Sequence, residues 1–416
     1  MSLKSISLTH PTKAISGTVQ LTGSKSESNR ALILEALSQG LVRIENLSAA
    51  ADTVIMQQAL QQAQDTQATH KTIDIGPAGT AMRFLTSYLN LANGSFTLTG
   101  TERMQQRPIG ILVDALRSIG ADITYEKAEG YPPLRIVGGF QQTADNLRIK
   151  GDVSSQYLSS LLLVAATLEQ GLTLNIEGEL TSKPYVSMTL DMLQEAGIKH
   201  HWSENSVAIA KQPFLETTIY IEPDWSAASY WYSIVALSDN GHIILPGLKR
   251  NSLQGDIAIA DIMQHFGVES RFEIDGLHLI KTDNISTEKL FDFKECPDLA
   301  QTVVALAAGL KRDISITGVE TLKIKETDRI AALRQEISKF GAELITDGDI
   351  YHLHTAGVAL SEPLTFDTYE DHRMAMAFAP LALIFNNITI NEPMVVEKSY
   401  PLFWEHLKSQ GFKIVE

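Results

Sequence analysis

Basic residues recur where helices should begin. Lys25 and Arg30, Arg83, Arg103 and Arg107, Lys183, Lys323, Lys325 and Arg329, Arg373, and Lys398 all stand at or just before the start of an apolar or amphipathic stretch. Helix N-termini present unpaired N–H groups and a positive dipole end, so acidic side chains are the usual first-turn residues. A cation there is unfavourable by ~0.3–1 kcal/mol. The pattern makes sense if a multiply charged anion occupies the space in front of the helices, held by convergent side chains. The plainer alternative is pairing with nearby carboxylates, for which Glu27, Glu326, Asp328 and Asp371 are available. Hydroxyls and amides join the cations. Ser24-Lys25-Ser26-Glu27-Ser28-Asn29-Arg30 and Ser154-Ser155-Gln156 open apolar stretches with more polar groups than one helix cap requires. Two carboxylates stand apart. Asp298 precedes the stretch 299–310, where it could be only an N-cap. Glu326 lies between Lys325 and Thr327-Asp328-Arg329, where it could be only a surface ion pair. Together these residue types suit anion binding coupled to proton transfer.

The elements that must position these groups show a repeat. A helix-like stretch with small or polar residues at its start, an apolar body and a Gly or Asn stop recurs at 26–40, 79–94, 155–171, 226–241, 298–309 and 372–386. A short strand follows each copy, beginning at Val42, Phe96, Leu172, His242, Ile314 and Ile388. A second series runs out of phase: amphipathic helices stopped by Gly120, Gly197, Gly267, Gly341 and Gly411. Its sixth copy, 53–64, lacks the glycine and marks the weakest unit. The pattern predicts six α/β units, each with one buried and one half-exposed helix. Six such units exceed what one core usually holds, so two groups of three are expected, divided near 221–224.

Bulk properties narrow the function. The 416 residues are 44% hydrophobic and 20% charged, as in a soluble globular protein with large cores. The net charge of −15 argues against nucleic-acid binding. Cys296 is the only cysteine, which excludes an internal disulfide and Cys-rich zinc motifs, and no His-Glu-x-x-His run occurs. No metal and no cofactor are expected. No apolar leader is visible, and the apolar runs 157–168 and 374–385 fall short of the ~20 residues that span a bilayer. A cytoplasmic protein without membrane contact is expected.

Seven segments in order, from about residue 20 to 400, resemble the signatures of the 5-enolpyruvylshikimate-3-phosphate synthases, within the enolpyruvyl transferase family. They are Gly23-Ser24-Lys25-Ser26-x-Ser28-Asn29-Arg30-Ala31, Ala78-Gly79-Thr80-Ala81-Met82-Arg83, Gln106-Arg107-Pro108-Ile109-Gly110, Val153-Ser154-Ser155-Gln156, Ser182-Lys183-Pro184-Tyr185, Lys325-Glu326-Thr327-Asp328-Arg329 and Asp371-His372-Arg373-Met374-Ala375-Met376. The resemblance implies an α/β (α+β) fold, a two-domain inside-out α/β barrel with three βαβαββ-like units per domain and the site in the cleft between. Residues 22–222 would form one domain, and 1–21 with 223–416 the other.

The reaction implied joins phosphoenolpyruvate to the 5-hydroxyl of shikimate 3-phosphate by addition and elimination through a tetrahedral intermediate, releasing phosphate. By the same resemblance, Lys25, Ser26, Arg30, Ser154, Ser155, Gln156, Ser182, Tyr185, Asp298 and Lys325 bind shikimate 3-phosphate. Lys25, Gly79, Arg107, Gln156, Arg329, Arg373 and Lys398 bind phosphoenolpyruvate. Asp298 takes the 5-hydroxyl proton, Glu326 exchanges the C3 proton, and Lys25 is a second group for proton transfer. The protein would act on small molecules as a monomer, and Gly79, having no Cβ, would leave room for glyphosate.

Two rival readings make different demands. A sister enzyme that transfers enolpyruvyl to a UDP-sugar carries a reactive Cys in the loop that here reads Arg103-Met104-Gln105-Gln106-Arg107. A non-catalytic anion sensor would need the cations but neither Asp298 nor Glu326, and both are present.

Overall fold

The computed structural model describes residues 4–65, 68–151, 154–359 and 363–416. Val153 of the fourth signature lies outside these. The chain divides into two compact units, Gly23–Ile221 and Met1–Thr22 with Glu222–Glu416.

Twelve α-helices occur among the described residues: α1 Lys25–Leu37, α2 Ala51–Gln64, α3 Gly79–Tyr88, α4 Gly110–Ser118, α5 Ser155–Ala165, α6 Lys183–Glu195, α7 Trp225–Leu237, α8 Ile259–Gln264, α9 Ala300–Gly309, α10 Arg329–Ser338, α11 His372–Phe378 and α12 Phe403–Ser409. Odd-numbered helices are the apolar series. In Gly23–Ile221, α1, α3 and α5 pack on one another; in the other unit α7, α9 and α11 do so. Every residue of α9 and α11 is buried, and so are all those of α7 except Ser226. Such helices can exist only at a centre, because they have no polar face to turn to water.

The strands cover these helix trios. Ser95–Thr99 alternates half-buried and buried residues, as does Ile314–Thr317, so one face of each sheet meets the helices and the other meets solvent. Helices inside and sheets outside make each unit an inside-out α/β arrangement. Four-stranded sheets follow one scheme: a parallel pair bridged by an apolar helix, then an antiparallel pair. His70–Asp74 runs parallel to Ser95–Thr99, which pairs antiparallel with Leu134–Val137, and that with Asp122–Tyr125. Five sheets have this form. The sixth has two strands, Val42–Glu45 parallel to Thr217–Tyr220. It belongs to the unit whose amphipathic helix lacks a glycine stop: α2 runs on to His70–Asp74 of the next sheet without an intervening hairpin. Each sheet is open, so among the described strands no barrel closes by hydrogen bonding.

Helices α3, α5 and α11 end at Tyr88, Ala165 and Phe378, well before the expected stops Gly94, Gly171 and Asn386, and three further stops act differently. Gly241 lies inside the strand Asn240–Leu245, and α7 ends at Leu237 with Ser238 extended. Gly309 is the last residue of α9, and the left-handed residue after it is Lys311 at φ 55°. Gly309 is small for packing: a Cβ there would come within 2.7 Å of Leu381 Cδ2. Gly267 falls in the strand Phe266–Glu273, after α8 has ended at Gln264.

Candidate active site

In the unit Gly23–Ile221 the cations gather at the N-terminal ends of the helices. Ser24 caps α1 by accepting from the Glu27 amide at 3.4 Å, which frees Lys25 and Ser26 from capping. Lys25 Nζ lies 3.2 Å from Asp52 Oδ2 in the first turn of α2. Arg30, one turn into α1, is 2% exposed. Its Nε donates to Thr189 Oγ1 at 2.7 Å, NH1 to the Ser26 carbonyl at 2.8 Å, and NH2 to Ser159 Oγ at 3.2 Å and the Tyr185 carbonyl at 3.1 Å. All four acceptors are neutral. Burial therefore dominates and pulls the guanidinium down to about 10, against weaker support from Tyr185 and Glu27.

Gly79 begins α3 under two arginines. A Cβ on it would lie 2.7 Å from Arg107 NH1 and 2.8 Å from Arg83 NH1. Arg83 NH1 also donates to the Gly79 carbonyl at 2.9 Å. Two like charges converging on a helix N-terminus make an anion-binding corner. Gln156 Nε2 donates to Thr80 Oγ1 at 3.2 Å, so the start of α5 reaches the start of α3. Ser155 and Ser182 are buried, Ser154 is exposed, and Ser182 is left-handed at φ 53° before α6. The family resemblance assigns no role to Arg83 or to Asp52. Arg83 was visible as a first-turn cation; Asp52 looks like an ordinary first-turn acid.

In the other unit carboxylates and cations interlock. Asp298 sits in the single turn Pro297–Leu299 and does not cap α9, which starts two residues later. Its Oδ1 accepts from Arg329 NH1 at 2.7 Å and lies 3.5 Å from Lys325 Nζ; its Oδ2 accepts from Arg373 NH2 at 3.0 Å. Burial pushes this carboxyl up, but Arg373, Lys325 and Arg329 outweigh it and hold the group well below the usual range. Glu326 Oε2 meets Arg329 NH2 at 2.8 Å, and its Oε1 meets Lys398 Nζ at 3.0 Å. Arg329 completes its set on Asp371 Oδ2 at 2.6 Å. Against the cost of burial, Asp371, Glu326 and Asp298 together raise its pKa. The pairing of cations with carboxylates, one of the two sequence readings, thus holds here for Arg329, Arg373, Lys325 and Lys398.

Asp371 also caps α11, accepting from the Arg373 amide at 2.8 Å. The sequence offers it as a carboxylate for ion pairing, not as a cap. It is both, with no exposed surface. Arg373 further reaches Ser226 Oγ at 3.3 Å and the Tyr230 hydroxyl at 3.4 Å. These two residues, on α7, were not foreseen.

Other features take no part in these two constellations. Cys296 is 3% exposed, and burial with nearby carboxylates pushes its thiol far up, so it is not an activated nucleophile. Glu273, Asp275 and His278 bring metal-type ligand atoms within 4.8 Å of one another, but none belongs to the expected site. A cavity of about 990 Å³ opens at the C-terminal ends of α1, α2 and α3, lined by residues such as Gln39, Gln64 and Asn93, and holds none of the predicted site residues. Among the described residues no helix is long and apolar enough to cross a membrane.

Comparison with known proteins points the same way as this geometry. Residues 9–407 match the family model described as EPSP synthase (3-phosphoshikimate 1-carboxyvinyltransferase). A 3-phosphoshikimate 1-carboxyvinyltransferase of Bacteroides fragilis strain YCH46 is 46% identical over 402 residues, covering 96% of each chain. One from Photobacterium damsela subsp. piscicida is 38% identical, covering 96% of this chain and 97% of its own. The solved EPSP synthase of Acinetobacter baumannii superposes with a TM-score of 0.78 at 21% identity and full coverage of both chains; the enolpyruvyl transferase NikO of Streptomyces tendae gives 0.74 at 16%, covering 99% and 98%. The two solved structures share the fold, and the family model with the close relatives fixes membership: the chain belongs to the EPSP synthase (3-phosphoshikimate 1-carboxyvinyltransferase) family.

Proposed function

We propose that the two constellations divide the labour of the family's reaction. That reaction transfers the enolpyruvyl group of phosphoenolpyruvate to the 5-hydroxyl of shikimate 3-phosphate and releases phosphate, and the protein is an enzyme of this kind acting on small-molecule substrates. In the division proposed, Ser26, Arg30, Ser154, Ser155, Ser182 and Tyr185 hold shikimate 3-phosphate, with Gln156 at its edge. Lys25, Gly79, Arg107 and Gln156 are assigned to phosphoenolpyruvate, as are Arg329, Arg373 and Lys398. Arg83, beside Arg107 over Gly79, joins this set.

The observation that carries the reading is the set of three cations, Arg329, Arg373 and Lys325, on the Asp298 carboxylate. These cations keep it ionised, as a proton acceptor must be, yet they also make it a weak base. Arg329, Arg373 and Lys325 are also ligands suited to phosphate and carboxylate. An arriving anion competes for them, and Asp298 gains basicity as its cations turn toward substrate. Glu326 shares Arg329 and Lys398 with the same substrate, so both carboxylates are released by one binding event. Asp298 then takes the 5-hydroxyl proton, with Lys325 beside it. Glu326, protonated once its cations have turned to substrate, delivers that proton to C3 on addition and recovers one on elimination, while the proton taken from the 5-hydroxyl passes to the departing phosphate. Lys25, near Asp52, is the further group for proton transfer. A monomer in the cytoplasm belongs to the same proposal.

Phosphate release with both substrates tests the assignment. Asp298→Ala and Glu326→Gln are each expected to lower kcat by at least ~10²-fold while the protein stays folded. Unchanged release in either variant would remove that residue from the chemistry.

A further inference from the structure

We propose that Asp256 is a positioning residue for this reaction: through the Ser226 hydroxyl it orients the Arg373 guanidinium that grips Asp298, and it tunes how much positive charge that guanidinium offers to phosphoenolpyruvate. The proposal rests on Arg373 being a phosphoenolpyruvate ligand.

Asp256 lies in the short turn Gly255–Ala258 and is 3% exposed. A carboxylate so deeply buried is normally paired with a cation or fully hydrogen-bonded. Neither holds here. Oδ2 accepts from Ser226 Oγ, and Oδ1, also buried, has no hydrogen-bond partner among the described residues. Ser226 has one hydroxyl proton and spends it on Asp256. Its oxygen can then only accept, and Arg373 NH2 donates to it at 3.3 Å. The same NH2 reaches Asp298 Oδ2 at 3.0 Å. One unbroken line of contacts therefore runs from Asp256 through Ser226 and Arg373 to Asp298. With NH1 on the Tyr230 hydroxyl at 3.4 Å and the Asp298 carbonyl at 3.5 Å, the Ser226 and Asp298 contacts of NH2 help to orient the guanidinium.

The charged and titratable groups that bear on Asp256 are Arg373 on α11, Asp298 before α9, Asp224 before α7, and the Cys296 thiol. Burial raises the carboxyl to about 6, against the pull of Arg373. A proton has an obvious seat on Oδ1, the oxygen that accepts nothing. Oδ2 keeps the Ser226 bond in both states, so titration changes the charge behind Arg373 without breaking the line. Ionised Asp256 competes with the substrate anion for Arg373; neutral Asp256 does not.

Steady-state kinetics of the full chain with varied phosphoenolpyruvate, at about pH 5.5 and about pH 7.5, would separate these roles. Relative to wild type, Asp256→Asn is expected to lower KM for phosphoenolpyruvate about 3-fold at the higher pH and to lose the protein's share of the change between the two. The substrate's own titration is common to both proteins and cancels in the comparison. Asp256→Ala leaves Ser226 unanchored and is expected to lower kcat about 10-fold, with the asparagine variant recovering much of the loss. Ser226→Ala, at a partly exposed position, removes the orienting contact with Asp256 in place and should lower kcat as Asp256→Ala does, while the Asp256 charge still titrates behind Arg373. A pH profile of Asp256→Asn superimposable on wild type, or a wild-type kcat in folded Asp256→Ala, would overturn the proposal. Arg373→Lys is the control on its premise. If that variant raises KM for phosphoenolpyruvate while both Asp256 variants behave as wild type, only the role of Asp256 falls. If KM does not change in Arg373→Lys, the assignment of Arg373 falls first.

Discussion

Arg30 in one unit and Arg329 in the other are each 2% exposed, yet their partners differ in kind. Arg30 is held by two hydroxyls and two carbonyls. Arg329 is held by Asp298, Glu326 and Asp371. Neutral acceptors fix the orientation of a guanidinium without cancelling its charge, and burial then depresses its pKa. Carboxylates fix the orientation and cancel the charge. The first arrangement is a standing trap for an anion. The second is a balanced set of opposite charges that an anion unbalances, which suits proton transfer better than storage of charge.

The largest effect should come from breaking the balanced set. Arg329→Met leaves Asp371 buried without its cation and is expected to cost ~3–5 kcal/mol of stability in denaturant titration. Arg30→Met removes as many hydrogen bonds, but Thr189 and Ser159 already lie 2.9 Å apart and can satisfy each other. Its cost should be smaller, ~1–3 kcal/mol. Equal losses in the two variants would mean that neutral and charged partners hold a buried arginine equally well.

Asp256 makes the carboxylate-rich unit respond to pH. Its folded pKa of about 6 lies above the ordinary 3.8, so the native state binds this proton more tightly than the unfolded chain. Its contribution to stability therefore falls as pH rises through that window and stays lost above it. Asp256→Asn should be more stable than wild type by roughly 1–2 kcal/mol at neutral pH, with the gap closing in acid, as thermal melts across pH would register. The smallest effect belongs to Gly79→Ala. The added methyl meets the flexible ends of Arg107 and Arg83, which can shift. A rise of about fivefold in KM for phosphoenolpyruvate, ~1 kcal/mol, is expected with little change in melting temperature. An unchanged KM would remove the two guanidinium groups from that substrate's site.

Much of this was legible from local signals. The two interleaved helix series are written in apolar spacing, and the unit without a glycine stop proved to be the one without a hairpin. What could not be read is contact between distant segments. Nothing near Lys398 announces that it meets Glu326, and nothing near Asp371 announces that the cation it pairs with is Arg329. Gly309 was read as a backbone signal, but its cause is the side chain of Leu381, more than seventy positions away in sequence. Asp256 carries no motif at all. Its burial and its link to Arg373 exist only once α7 and α11 have packed together.

Strand order has a consequence for the protein while it is being made. Val42–Glu45 waits for Thr217–Tyr220, and Ser5–Thr9 waits longer, because its two neighbours are Ile388–Asn391 and Lys413–Val415. On the ribosome the unit Gly23–Ile221 can therefore finish as soon as its last strand emerges, whereas the other must carry its first strand unpaired through almost the whole of synthesis. Such an early, unpaired strand edge invites pairing with other chains, and long-range closure of this sort is slow. The dependence of this nascent chain on chaperones should thus concentrate in the half that begins first and closes last.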